Sequence, residues 1–425
     1  MSHGLRCATC GATRDLSEFA PWRCPNESGD RHHVLLLDPL SNAAADAESV
    51  NPFLRFRHRM AWHEFALASG LSDAQIVSLV DDVDRRLVAT SGRGFVATPT
   101  SRSSALSDHL GFSATGGVWI KDETGNVGGS QKARHLMSIL LHLLIAERTG
   151  RAPWKSTDRP GLAISSCGNA AIAASTLARA VDWPIDVFIP EWAGGNVVAT
   201  LDAFGARIAR CPRRDDDPPG DPTVLRFREA VARGAIPFSV QGPENALCLD
   251  GGRTFGWELA DSLRADGIDG VDALFVQVGG GAFAASVSRG AREGGLTAPL
   301  FATQTEGCAP LSRAWSTAMD DDAMASHWSR HMRAWDAEPR SLADGILDDE
   351  TYDWVADVVE LRATHGRVVV ANENNVVRAA EMARPITGID VSPTGAAGLA
   401  GLLEARDAFG ADARVVLAFS GVRRD

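Results

Sequence analysis

From about residue 118 the chain alternates short apolar runs with longer segments of helical period. Runs at 118–121, 162–165, 185–190, 207–211, 237–240, 273–278, 300–303, 367–370 and 413–419 predict strands. The segments between them, at 130–149, 170–180, 197–204, 222–233, 252–264, 283–292, 374–382 and 394–406, predict helices. A tryptophan-rich patch near 308–335 also reads as helical. This alternation predicts an α/β fold with open, mainly parallel sheets flanked by helices. In such folds ligands sit beyond the carboxyl ends of the strands. Upstream, Pro52, Phe53, Phe56, Met60, Trp62 and Phe65 form one apolar face, and Leu71-Ser72-Asp73 opens a second helix to about residue 90. Its run of aspartates and arginines at 81–86 reads as a solvated face, and Thr98-Pro99-Thr100 breaks the pattern.

Residues 1–40 carry a different signal. Cys7-Ala8-Thr9-Cys10-Gly11 is a Cys-x-x-Cys turn, and Cys24 follows in Trp22-Arg23-Cys24-Pro25. Facing knuckles of this kind build zinc ribbons. Cys7, Cys10 and Cys24 are therefore candidate zinc ligands, with His32 or His33 available as a fourth; a degenerate ribbon without metal is the alternative. Residues 41–50 read as a linker.

Composition narrows the function without choosing it. The 425 residues carry a net charge of −12, which argues against a nucleic-acid backbone as main partner. The amino terminus has no apolar signal core, and the longest apolar run, 137–146, is interrupted and too short to span a bilayer. These features predict a cytoplasmic protein with no membrane partner. Seven cysteines at scattered spacing are not a disulfide framework.

Lysine is rare. Among 42 basic residues only Lys121, Lys132 and Lys155 are lysines. Lys132 stands in Gly128-Gly129-Ser130-Gln131-Lys132, at the opening of a helix, where a cation is mildly unfavourable against the helix dipole. A lysine so placed is either a solvated first-turn residue or a group able to form a Schiff base with a carbonyl cofactor. Three further stretches lie at strand ends. Ser165-Ser166-Cys167-Gly168-Asn169 suits a small anion at a helix start, or a plain N-cap. Gly279, Gly280 and Gly281 join a strand to a helix, with neither a dinucleotide fingerprint nor a P-loop lysine, which points to a monophosphate or to a tight turn. Ser420 ends the last strand.

Taken in order, these stretches resemble the fold-type II pyridoxal-phosphate enzymes, the superfamily of threonine synthase, serine/threonine dehydratases and tryptophan synthase beta. Lys121-Asp122-Glu123, Gly251-Gly252-Arg253-Thr254, Thr305-Glu306-Gly307-Cys308 and Ser392-Pro393-Thr394-Gly395 add to the resemblance, which covers about 95–425. It implies two open, mainly parallel sheets flanked by helices. A large cofactor domain would comprise 51–164 and 213–425, with 165–212 as the core of a smaller one. It implies pyridoxal 5'-phosphate held by Lys132, with Asn169 at the ring 3′-oxygen, Gly279, Gly280 and Gly281 at the phosphate, Ser420 at the pyridine nitrogen and Glu306 near the ring or substrate. Ser166 and Gly168 would hold the substrate carboxylate. Lys132 would be the catalytic residue. A homodimer is the family habit.

The implied activity is elimination, or elimination with replacement, at the β or γ carbon of an amino acid. The family's usual Asn-Pro-Thr-Gly-Ser-Phe-Lys run is replaced here by Asn126-Val127-Gly128-Gly129-Ser130-Gln131-Lys132, and Ala133 stands where threonine synthase has an acid. Threonine synthase proper, converting phosphohomoserine to threonine, is thus one alternative. A catalytically silent binding module docking through 1–40 is another. Cys167 reads as a packing residue rather than a nucleophile, and His135 as core.

Overall fold

A computed structural model describes residues 4–27, 32–38, 40, 45–218 and 220–424. Residues 1–3, 28–31, 39 and 41–44, which belong to the predicted amino-terminal element and linker, lie outside the described residues, as do 219 and 425. The strands are β1 (Gly4–Cys7), β2 (Thr13–Asp15), β3 (Leu35–Leu37), β4 (Thr100–Arg102), β5 (Gly117–Asp122), β6 (Leu162–Ser165) and β7 (Ile185–Ile189). They continue with β8 (Arg207–Arg210), β9 (Ile236–Pro237), β10 (Ala273–Gln277), β11 (Leu300–Thr305), β12 (Arg367–Ala371) and β13 (Arg414–Phe419).

These strands form the two open sheets the alternation predicts, plus a small third one. The larger has the order β12-β11-β10-β13-β5-β4 and is parallel except for β4, which runs against β5. The smaller, β8-β7-β6-β9, is parallel throughout. Strands covered on both faces must be apolar along their whole length. All five residues of β10 are buried, and so are Val415 to Phe419 of β13. The smaller sheet reaches past the expected 165–212 core on both sides, because β6 precedes it and β9 follows it. β9 is only Ile236–Pro237, so a single residue of the predicted 237–240 lies in it. Pro237 has no N–H to donate, and after Phe238 N–H reaches Ala163 O (2.9 Å) the chain leaves the ladder and bends at Val240.

Helix boundaries follow local chemistry. The Asp73–Ser91 helix begins at Ser72, whose side chain accepts from Gln75 N while Gln75 returns to the Ser72 backbone, and it ends at Gly92 in the left-handed region. The Trp354–Ala363 helix is absent from the sequence expectations. It is buried on nearly all sides against the Ala282–Glu293 helix, so it lacks the polar stripe by which a helix is read. At the amino terminus β2-β1-β3 is a three-stranded antiparallel sheet.

Candidate active site

The carboxyl ends of β5, β6, β10 and β13 bring the predicted stretches to one place. The chain leaves β5 and turns through Asn126, whose side chain accepts from Val127 N and donates to Glu123 Oε2 (both 2.8 Å). Gly128 (φ +65°) and Gly129 (φ +70°) then adopt a backbone open to glycine, and a Cβ on Gly128 would stand 3.2 Å from the Ala173 Cα. This close approach seats the loop on the Asn169–Ala180 helix and launches the Lys132–Arg148 helix.

Backbone contacts tie that loop to the end of β13. Gln131 N–H donates to Ser420 O (3.0 Å), Ser130 bridges Gly421, and Val422 N–H donates to Gly129 O (2.9 Å). The Asn169 amide nitrogen lies 3.0 Å from where a Cβ on Gly421 would be. Lys132, Ser420 and Asn169 are thereby drawn together from three distant parts of the chain. Lys132 is half-buried, and among the described residues its Nζ makes no hydrogen bond or ion pair. Burial lowers its pKa, offset in part by the charges of Asp348 and Asp353. Ser420 Oγ accepts from Gln277 Nε2 (2.5 Å), which also bonds Gly395 O. The serine proton therefore remains free to donate. Asn169 Oδ1 accepts from Arg424 Nε (2.8 Å), so its Nδ2 faces the Gly421 side.

The glycine run opens the Ala282–Glu293 helix, where free N–H groups and the dipole favour negative charge. The space a side chain at Gly279 would take holds a carboxylate: Asp348 Oδ2 lies 2.5 Å from that Cβ position. Gly281, at φ +99°, similarly abuts Asp357 and Asp353. Asp353 accepts from Gly242 N–H with both oxygens (3.0 and 3.1 Å), and its N–H donates to Gly280 O (2.7 Å). Burial pushes Asp348 up to about 6 and Asp353 to about 7. Asp357 is fully buried with neither carboxylate oxygen bonded, and burial raises it well above its ordinary value. The Asp348 carboxylate thus packs directly against the glycine turn.

Ser166 Oγ accepts from Gly168 N–H (3.3 Å), and a Cβ on Gly168 would meet nothing within 4 Å, leaving open space at the helix start. Cys167 is raised to about 11 by burial and by the charges of Asp221, Asp344 and Asp348, so it is a neutral thiol, as a packing residue would be. His135 Nδ1–H donates to Cys248 O (2.8 Å), and the ring is lowered to about 3 by burial and the nearby Lys132, which leaves it a neutral core residue. Glu306 is exposed, and its Oε1 accepts from Glu373 N–H (2.8 Å) at the start of the Glu373–Thr387 helix, where the dipole favours a carboxylate.

Directly behind Lys132 lies a network the sequence did not announce. Lys121 Nζ donates to Glu258 Oε2 (2.5 Å) and to Thr98 O (2.6 Å), while Arg134 forks onto Glu123 and Glu258 at 2.7–2.9 Å. All five groups are buried. At the amino terminus Cys7, Cys10, Cys24 and His33 bring their ligand atoms within 4.8 Å of one another, whereas His32 stacks on Trp328 (5.1 Å).

A family model described as "Pyridoxal-phosphate dependent enzyme" matches residues 93–421. The chain belongs to this family. An L-serine dehydratase of Saccharomyces cerevisiae is 25% identical over 46% of this chain and 57% of its own length, so the match spans little more than half of that relative. A serine racemase of Arabidopsis thaliana is 23% identical over 72% of this chain and 80% of its own. Among solved structures, maize serine racemase superposes at a TM-score of 0.60 with 18% identity, over 81% of this chain and 94% of that one. The processed form of threonine deaminase isoform 2 from Solanum lycopersicum does so at 0.59 with 16% identity, over 84% and 92%. These likenesses fix the fold as that of fold-type II enzymes. No helix among the described residues is long and apolar enough to cross a membrane.

Proposed function

We propose that the chain is a pyridoxal-phosphate-dependent lyase or synthase that eliminates a group at the β or γ carbon of a small amino acid. The observation that carries this reading is Lys132, a rare lysine with no bonded partner among the described residues, at the meeting point of Asn169, Ser420 and the glycine run. The names of the serine dehydratase and threonine deaminase relatives support the elimination class.

The donor set suits the cofactor. Asn169 offers Nδ2 to the ring 3′-oxygen, residues 279–281 offer backbone N–H groups to the phosphate, and Ser420 offers a hydroxyl to the pyridine nitrogen. When bound, pyridoxal phosphate supplies a carbonyl for the lysine and an electron sink for the α carbon. Lys132 holds it and, once released by the incoming amine, accepts the α-proton, a role that its lowered pKa favours. A serine at the ring nitrogen donates weakly, which suits elimination better than transamination. Ser166 and the open Gly168 position receive the substrate carboxylate. The acting form is read as a cytoplasmic homodimer.

The amino-terminal set Cys7, Cys10, Cys24 and His33 is proposed to bind zinc, the three-thiolate, one-imidazole set being a structural zinc combination. Metal content of wild type against Cys7→Ser tests it.

Purified protein with added cofactor is expected to show visible absorbance. A panel of serine, threonine, their O-phospho forms and phosphohomoserine, assayed for keto acid, ammonia, phosphate and change of optical configuration, names the reaction. Colourless protein that cannot be reconstituted would sink the reading in favour of a silent module. Configuration change without keto acid would make it a racemase.

A further inference from the structure

We propose that Asp321, His327 and His331 form a second metal site, for a zinc-class divalent cation bound through two imidazoles and a carboxylate. The residues lie just after the Pro310–Ala318 helix and across the Trp328–His331 turn. Both imidazoles aim at one atom: His327 Nδ1 and His331 Nε2 each lie 2.8 Å from Asp321 Oδ2. His327 closes one short 3-10 turn and His331 the helical turn that follows, and the break between them brings both rings to Asp321.

The three ligand atoms, Asp321 Oδ2, His327 Nδ1 and His331 Nε2, all lie within 4.8 Å of one another, as the ligands of one ion do. The His331 side chain has 0% exposure, and its Nδ1 lies 2.9 Å from Thr317 Oγ1. With the ring proton on Nδ1, that nitrogen donates to Thr317 and Nε2 offers its lone pair to a cation shared with Oδ2. The Nδ1–H bond to Thr317 is then the outer contact that fixes the ring of a metal-bound histidine.

The surroundings leave the position accessible. Arg362 spends its guanidinium on the carbonyls of Ala318 and Asp321 and on Asp322 (3.6 Å), not on the Asp321 carboxylate. The remaining Asp321 oxygen accepts from Ala323 N–H (2.9 Å). His327 is 46% exposed, which leaves a fourth coordination position to water. Two nitrogens and one oxygen select zinc, cobalt or nickel over magnesium or calcium. The ion would brace the segment on which the amino-terminal element rests, where Ser326 Oγ donates to Thr9 O (3.1 Å) and Trp328 stacks on His32.

Cobalt tests this and separates it from the cysteine cluster, because thiolate ligands give an intense near-ultraviolet charge-transfer band that nitrogen and oxygen ligands lack. Untagged, full-length, chelator-stripped protein is titrated with Co²⁺ and followed by equilibrium dialysis and absorbance. The expected result is one bound equivalent that adds no thiolate band and is weakened at least about 10-fold in His327→Ala. Because His327 is half-exposed, that variant is expected to keep its circular dichroism and its melting temperature without metal. Absence of a non-thiolate equivalent in wild type overturns the proposal, and so does its persistence at full affinity in His327→Ala.

Discussion

Lys121 and Lys132 are eleven residues apart, both withdrawn from water, and opposite in character. Lys121 is wholly buried and bonded to Glu258 and to Thr98. Its charge is compensated, so it holds β5 against the Cys248–Ala265 helix. Lys132 is less buried, yet none of the described residues bonds its amine. A buried cation with partners is architecture. Burial lowers the pKa of both lysines, but only the one left without partners keeps its amine free to react. The two environments share Arg134, which follows Lys132 on the same helix and anchors in Glu258, the carboxylate that holds Lys121, and in Glu123. The rigid pair thus fixes where Lys132 stands.

Replacing Lys132 with alanine should break the comparison most sharply. Cofactor is expected no longer to be fixed by borohydride, and activity to fall by about 10²–10⁴-fold or more. Peptide mapping after reduction reads the first effect and turnover the second. Lys121→Met should do the converse. It leaves Glu258 short of a compensating charge in the core and should cost about 3–5 kcal/mol in urea unfolding, while the folded fraction still attaches cofactor at Lys132. Loss of attachment in folded Lys121→Met would show that the two lysines are not separable.

Asp348 sharpens the contrast, being a buried carboxylate packed against the glycine turn. Its native pKa is raised to about 6, so ionising it opposes folding. The penalty is absent at low pH, grows as pH climbs from the ordinary aspartate value toward the native one, and persists above it. Asp348→Asn should therefore stabilise the cofactor-free protein by about 1–3 kcal/mol at pH 8, with the gain shrinking toward pH 4. Equilibrium unfolding at the two pH values measures it, and a gain equal at both refutes the assignment. The smallest effect is expected at Glu306. Glu306→Gln removes a charge from an exposed helix start, worth about 0.3–1 kcal/mol, and should leave the cofactor absorbance unchanged.

The fold was legible because buried parallel strands must be apolar throughout, and β10 and β13 are. What periodicity missed shares one cause. The Trp354–Ala363 helix is buried on nearly every side, so no stripe marks it. At the site, Lys132 and the glycines were readable because a rare residue type and a run of one residue stand out within a few positions. Asp348 and Asp353 were not, since they approach the glycines from some seventy residues away and no local spacing reports a contact across the fold. Gln277 was hidden inside a strand whose other members are apolar. The partner of Glu306 was equally hidden, because the helix start that takes its carboxylate lies 67 residues on.

β13 lies between β5 and β10, strands separated by some 150 residues, and belongs to neither by sequence. Until Arg414–Phe419 inserts, the larger sheet exists as two unjoined halves, one bearing the lysine loop and the other the glycine run. Assembly of the site is therefore a single long-range closure, slow by the measure of contact order. A nascent or nicked chain lacking that strand would expose two apolar edges, the form most prone to aggregate.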